Sequence, residues 1–242
     1  MSEPAGPLLS VRGDARQTVT PDYVNLAGTI EVAGDSKPEA VRAAAAALDG
    51  LTAGLAALGG VALTAETGRR ELTWSAQSAT TRPEWKGNEE TGRNEPTGRT
   101  TAAVAVTIAV RAFGLLDALG AALARHESLS VYQVDWNVDW DNPAWPQVRA
   151  AAIQAAIRKG HDYAAALGGS LQSVEHIADA GLLGGSGDGG SFRSGGRASR
   201  AMAAGAGGGG ESGAPSLDPV PQELAATIEA RFTATGVSLP GP

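Results

Sequence analysis

The chain has 242 residues, 43% of them hydrophobic and 5% aromatic, with 33 glycines, no cysteine and a formal charge of −7. That length allows one large domain or two small ones. The acidic balance argues against a nucleic-acid footprint, and the missing cysteines exclude disulfides, thiolate catalysis and cysteine-ligated zinc.

The opening Met-Ser-Glu-Pro-Ala-Gly-Pro has neither a basic n-region nor an apolar h-region, so the expected location is the cytoplasm. No stretch approaches eighteen consecutive apolar residues, so no membrane span is expected. Leu8 to Asp14 reads as a short strand, and Thr20-Pro21-Asp22 as a turn, because proline fixes its own φ and Asp bonds to nearby backbone. From Tyr23 to Ala33, Val24, Leu26, Gly28, Ile30 and Val32 alternate with polar or small neighbours, the mark of a half-buried strand. Ser36 is a helix N-cap, with Pro38 in the first turn and Glu39 three residues on. Val41, Leu48, Leu51, Leu55 and Leu58 then recur at helical spacing up to Gly59-Gly60.

Arg70 to Thr80 reads as a second long strand with Leu72, Trp74 and Ala76 on one face. Arg82 to Gly98 is rich in Glu, Asn, Gly and Pro and reads as a polar loop. Thr100 to Val110 is a strong strand, with Ala102, Val104, Val106, Ile108 and Val110 sharing a face, and Gly114 to Arg125 a short helix. Leu129 to Asp139 is a further strand, and Asn142-Pro143 starts a helix reaching about Leu167 with Val148, Ala152, Ile153, Ala156 and Ile157 inward. Leu171 to Ala178 is another strand. Gly184 to Gly213 has hardly any apolar anchor and reads as a flexible insertion. Glu223 to Val237 closes the chain as an alternating strand.

The most unusual stretch, VYQVDWNVDWDNPAW, places Asp135, Asn137, Asp139 and Asp141 at every second position. A calcium loop counted from Asp135 fails where it matters: Trp140 takes the place of the glycine at position six, and Pro143 and Pro146 fall at positions nine and twelve. Period two explains the stretch better. Val134, Trp136, Val138 and Trp140 face the core, while Gln133, Asp135, Asn137 and Asp139 face solvent. Asp141 suits the nearby helix N-terminus. Asp135, Asn137 and Asp139 remain the only metal-ligand candidates, as a weak surface cation site.

Gly185 to Gly190 matches G-x-G-x-x-G, but a dinucleotide site needs a preceding strand and a helix opening within the motif, and this context offers no such helix. His126, His161 and His176 have no second histidine three or four residues away, and G-x-S-x-G does not occur. Trp136, Trp140 and Trp145 are either core residues or anchors of an assembly interface, where tryptophan is enriched.

Four segments, LLSVRGDARQTVTPDYVNLAGTIEV, KPEAVRAAAAALDGLTAGLAALG, TTAAVAVTIAVRAFGLLDALGAAL and DNPAWPQVRAAAIQAAIRKGHDYAAALGGSLQSVEHI, together with the closing LAATIEARFTAT, resemble the SIMPL-domain family. These are the YggE-like oxidative-stress-defence and periplasmic immunogenic proteins. The resemblance implies an α+β fold and, in some members, ring-like or channel-like homo-oligomers. It supplies no catalytic motif to carry onto these residues. Most members carry an export signal, which the first residues here do not show.

The expected fold is α+β, a mostly antiparallel sheet with alanine-rich helices on one face and a split-βαβ-like second part. The expected organisation is a β-β-α-β subdomain over 1–81, a polar loop over 82–98, a β-α-β-α-β subdomain over 99–183, a Gly/Ser-rich insertion over 184–221 and a closing strand and tail over 222–242. The expected function is non-enzymatic, with no catalytic residue and no cofactor: a self-assembling homo-oligomer with a stress-protection role. The alternative is a small-molecule or divalent-cation module on the Asp135/Asn137/Asp139 face. A weaker third reading is a hydrolase whose site lies on the Gly184–Gly213 loop.

Overall fold

The computed structural model describes residues 6–88, 93–183 and 217–237. Among these the chain order is β1 (Leu8–Val19), β2 (Tyr23–Gly34), α1 (Lys37–Ala57), β3 (Val61–Ala62), β4 (Leu72–Ala76), β5 (Thr80–Asn88), β6 (Arg93–Val110), α2 (Leu116–Leu123), β7 (Leu129–Asn137), α3 (Ala144–Ala166), β8 (Ser170–Asp179) and β9 (Gln222–Thr235). The strands form two sheets, one ordered β1-β9-β8, the other β3-β4-β6-β2-β7 with β5 also paired to β6. Every pairing among them is antiparallel except β3 with β4. The fold is α+β, as the alternation of strand and helix patterns predicts.

The chain divides into two compact units. One comprises Met1–Thr20, Trp140–Ala204 and Pro221–Pro242, the other Pro21–Asp139 and Gly205–Val220. The second unit holds the larger sheet. Val24, Leu26 and Ile30 of β2 and Ala102, Val104, Val106, Ile108 and Val110 of β6 are all buried on one face, as their alternation predicts. α1 lies on β2 and β6 and buries Ala40, Ala44, Leu51 and Leu55 there. Its start follows the expected chemistry: the Ser36 hydroxyl accepts from the Glu39 N–H at 3.4 Å, and the Glu39 carboxylate accepts from the Asp35 N–H at 3.1 Å. Gly59, at φ 83°, takes the left-handed conformation that ends the helix.

The first unit is built on smaller side chains. α3 buries Ala144, Val148, Ala152, Ala156, Gly160 and Ala164, one residue in every four. This row packs against Val11 of β1 and Ile228, Ala230 and Phe232 of β9. Pro143, not Asn142, occupies the cap position, one residue later than the sequence suggests, and the Asn142 side chain just before it accepts from the Ala144 N–H at 2.8 Å.

Several expectations are corrected. Residues 82–98 are not a loop: outside 89–92 they form the outer part of a β5–β6 hairpin, with Trp85 opposite Pro96 and Lys86 opposite Glu95. Both faces of that hairpin are largely exposed, so it carries no period-two signal. Arg70 to Thr80 is not one strand, since β4 ends at Ala76 and β5 starts at Thr80. β1 and β2, which flank Pro21, do not pair with each other but enter different sheets. β7 and β8, on either side of α3, do the same, but β6, α2 and β7 do form a split βαβ unit, two strands running in the same direction with β2 between them, as expected for the second part. The compact units accordingly cut across the expected boundaries at 81 and 183. α1, 21 residues long, is by length and composition alone long and apolar enough to cross a membrane, although Arg42 and Asp49 interrupt its apolar run; here its buried stripe packs on a sheet.

Candidate functional site

β7 pairs with β2 along its length, with a bulge where Ala27 and Gly28 face Gln133 and Val131 and Tyr132 is the extra residue. Leu129, Val131, Val134 and Trp136 lie opposite Ile30, Gly28, Leu26 and Val24, on the core face. Ser130, Gln133, Asp135 and Asn137 lie opposite Thr29, Ala27, Asn25 and Tyr23, on the other face. The core-face assignment of Val134 and Trp136 therefore agrees with the sequence pattern. Trp136 packs on the core, its ring edge-on to Phe113 with centroids 5.5 Å apart. The Asp135 carboxylate accepts from the Gln133 amide, and the Asn137 amide donates to the Asp135 carbonyl at 2.8 Å.

Asp139 departs from the expected wet row. It lies two residues beyond the end of β7 with its side chain only 17% exposed. The Arg111 guanidinium donates to both its oxygens, Nη1 to Oδ2 at 2.6 Å and Nη2 to Oδ1 at 3.0 Å, a bidentate geometry that is strong as well as directional. The same guanidinium lies 4.6 Å from the centre of the Tyr23 ring. Asp22 completes the arrangement: its carboxylate accepts from the Asp139 N–H at 2.8 Å, and its own N–H donates to the Asn137 carbonyl at 2.8 Å. The Arg111 N–H is bonded in turn to the Glu71 carbonyl at 2.8 Å. This clasp gathers residues from the start of β2, the ends of β6 and β7 and the approach to β4.

The electrostatics follow from the pairing. The hydrogen bonds from Arg111, supported by its charge, hold the Asp139 carboxyl below the ordinary carboxylate range against the opposing effect of burial. Asp139 in return raises the Arg111 guanidinium further. A carboxylate kept ionised and gripped at both oxygens is a poor proton donor, and a cation entering here would have to displace Arg111. Asp135, Asn137 and Asp139 are thus not three equivalent ligands: the first two sit on the strand face and the third is engaged elsewhere. Among the described residues, no three of His, Asp and Glu gather as a metal-binding group. Arg111 was missed in the sequence, although an arginine directly after the alternating Ala102-to-Val110 run was the available signal.

The other singled-out residues are scattered. Trp140, expected on the core face with Val134 and Trp136, is instead 81% exposed, because β7 ends at Asn137. Trp145 is half-buried, with the Arg149 guanidinium 5.7 Å from its ring centre. His126 follows α2, with its ring near Gly50 and Gly54 of α1, and His161 and His176 are exposed. A shallow groove of about 420 Å³ on the outer face of β2 and β7 is lined by Thr29, Glu31, Glu127, Ser128, Ser130 and Tyr132. Glu31 there is already paired with Arg82, at 3.1 Å to each oxygen. The Gly185–Gly190 motif and the whole Gly184–Gly213 segment lie outside the described residues.

A family model described as "SIMPL: Protein of unknown function (DUF541)" matches residues 9–232, nearly the whole chain. None of the curated proteins compared with the chain matches it.

Proposed function

The chain belongs to the SIMPL family, and we propose that it works without catalysis of its own, as a self-assembling homo-oligomer with a stress-protection role. The observation that carries the assembly reading is the apolar surface of β7. Val131 and Val134 are each 40% exposed and Tyr132 63%, and Trp140, 81% exposed, follows a few residues later in the chain. Exposed apolar side chains gathered along one strand mark contact surfaces, and large aromatics contribute most to them. The ion pair of Arg111 and Asp139 supports the non-catalytic reading, because both charged groups are occupied by each other.

Light scattering coupled to size exclusion tests assembly. The expected result is a mass that is a multiple of the 24.3 kDa chain and rises with concentration towards a fixed limit. A monomer at every concentration contradicts it. The stress role draws on the family resemblance, and cells lacking the protein should survive peroxide exposure less well than cells that carry it.

A further inference from the structure

Sheet edges expose unpaired N–H and C=O groups, and proteins blunt the edges that must stay single with charges, proline, bulges or shortness. The edges in this chain differ in that respect. β1 carries Arg12, Asp14 and Arg16 along its length. β8 has two register shifts, with Glu175 and His176 in its second half. β5 has Arg82, Pro83 and Lys86 and a register shift, and β3 has two residues. β7 reads Leu-Ser-Val-Tyr-Gln-Val-Asp-Trp-Asn, with no proline, no basic residue and one carboxylate. Among the described residues no strand pairs with its second side. α1 covers β2 and β6, so the core face of β7 overhangs the helix, which accounts for the exposed Val131 and Val134.

The bulge gives this edge a symmetry that a regular strand would lack. The Glu31 N–H bonds to the Ser128 carbonyl at 2.9 Å, which fixes the alternation: Ser128 and Ser130 turn their backbone groups to β2, Leu129 and Val131 away. Past Tyr132 the phase shifts by one, so Gln133 and Asp135 face β2 while Val134 and Trp136 face away. The strand is then palindromic about the Tyr132–Gln133 bond. Val131 matches Val134, Leu129 matches Trp136, and both pairs lie on the core face with backbone groups pointing outward. Ser130 matches Asp135 on the other face. An antiparallel two-fold contact needs this property, since each residue must meet its mirror position on an identical strand.

We infer that β7 pairs antiparallel with β7 of a second copy of this chain, in the register Val131 to Val134, Tyr132 to Gln133 and Ser130 to Asp135, joining two six-stranded sheets into one. The inference rests on the self-assembly reading above and names the surface that carries it. The register suits a second copy electrostatically too: the one carboxylate on each strand meets a serine hydroxyl rather than its own counterpart. Each copy also covers the exposed valines of the other.

The test uses the full chain. Val134→Pro removes an N–H that faces away from β2, a change an edge strand tolerates, and Val131→Lys places a charge in the contact. Each should lower the scattering mass of the assembly by at least half while leaving the far-UV circular dichroism unchanged; Ile177→Lys on β8 should leave the mass as it was. In the double variant Ser130→Cys/Asp135→Cys, mild oxidation should yield a covalent dimer on a non-reducing gel. The native chain has no cysteine to compete, and facing positions whose amides bond elsewhere bring Cα atoms within disulfide reach. If the wild type assembles but neither β7 variant lowers its mass and no cross-link forms, this inference falls while self-assembly stands. If the wild type is a monomer throughout, both fall.

Discussion

The two units solve the packing of a helix on a sheet in opposite ways. Under α1 the contact is made by large aliphatic side chains, Leu51 and Leu55 against Leu26, Ile30, Val104 and their neighbours. Under α3 the helix contributes mostly alanine and glycine, and the backbones come close: a Cβ on Gly13 of β1 would lie 2.0 Å from the Ala152 carbonyl oxygen and 2.7 Å from the Ala156 nitrogen. The first arrangement is stabilised by apolar area and fails when volume is removed. The second is held by proximity and fails when volume is added. Both units bear exposed pairs, such as Arg16–Glu223 and Lys159–Asp14 in the smaller and Arg82–Glu31 in the larger, but the larger adds the sheltered Arg111–Asp139 clasp.

The largest expected effect is at Leu55, fully buried between α1 and the sheet. Leu55→Ala should destabilise its unit by about 3–4 kcal/mol, from lost transfer energy and the cavity left behind, read by denaturant titration. Gly13→Ala adds a single methyl and should cost about 3 kcal/mol in the other unit, because the atoms it meets are backbone and cannot rotate away. A neutral result there would break the comparison.

Asp139→Asn should cost about 2 kcal/mol, since Arg111 keeps its charge but loses a charged acceptor. The pH dependence has a definite direction. The folded carboxyl titrates below the ordinary 3.8, so its stabilisation is complete above the unfolded value and is lost as pH falls through the folded one. The Asp139→Asn variant should therefore lose less stability than the wild type on acidification below about pH 4. By contrast Arg16→Ala, which removes an exposed partner, should change stability by less than about 1 kcal/mol. The smallest effect has the opposite sign. In α1 a Cβ on Gly50 would find the His126 ring at an ordinary 3.6 Å, so Gly50→Ala should stabilise by roughly 0.5–1 kcal/mol. The same substitution thus destabilises one unit and stabilises the other.

What could be read from the sequence was local. The alternation from Val24 to Ile30 and from Ala102 to Val110, the Ser36 cap and the row from Val148 to Ala156 each report a face or terminus set within a few residues, and each is found in the structure. The distribution of strands between sheets was not legible. Nothing near Pro21 says that β1 joins β9, more than 200 residues away, rather than β2. The β5–β6 hairpin was hidden because a strand wet on both faces looks like a polar loop. In the candidate site, the core-face positions of Val134 and Trp136 were visible from period two. The capture of Asp139 by Arg111, 28 positions earlier, was not. The bulge at Tyr132 did leave a mark in the sequence, because the core-face positions step from Leu129 and Val131 to Val134 and Trp136, a change of phase at Tyr132.

Amide hydrogen exchange along β7, compared between dilute and concentrated protein, tests the two-fold contact most directly. The outward amides of Val131 and Val134 should exchange rapidly in dilute solution and become strongly protected as concentration rises, while those of β8 stay unchanged. Exchange in β7 that is equally fast at every concentration, in a sample whose mass shows assembly, would contradict the account.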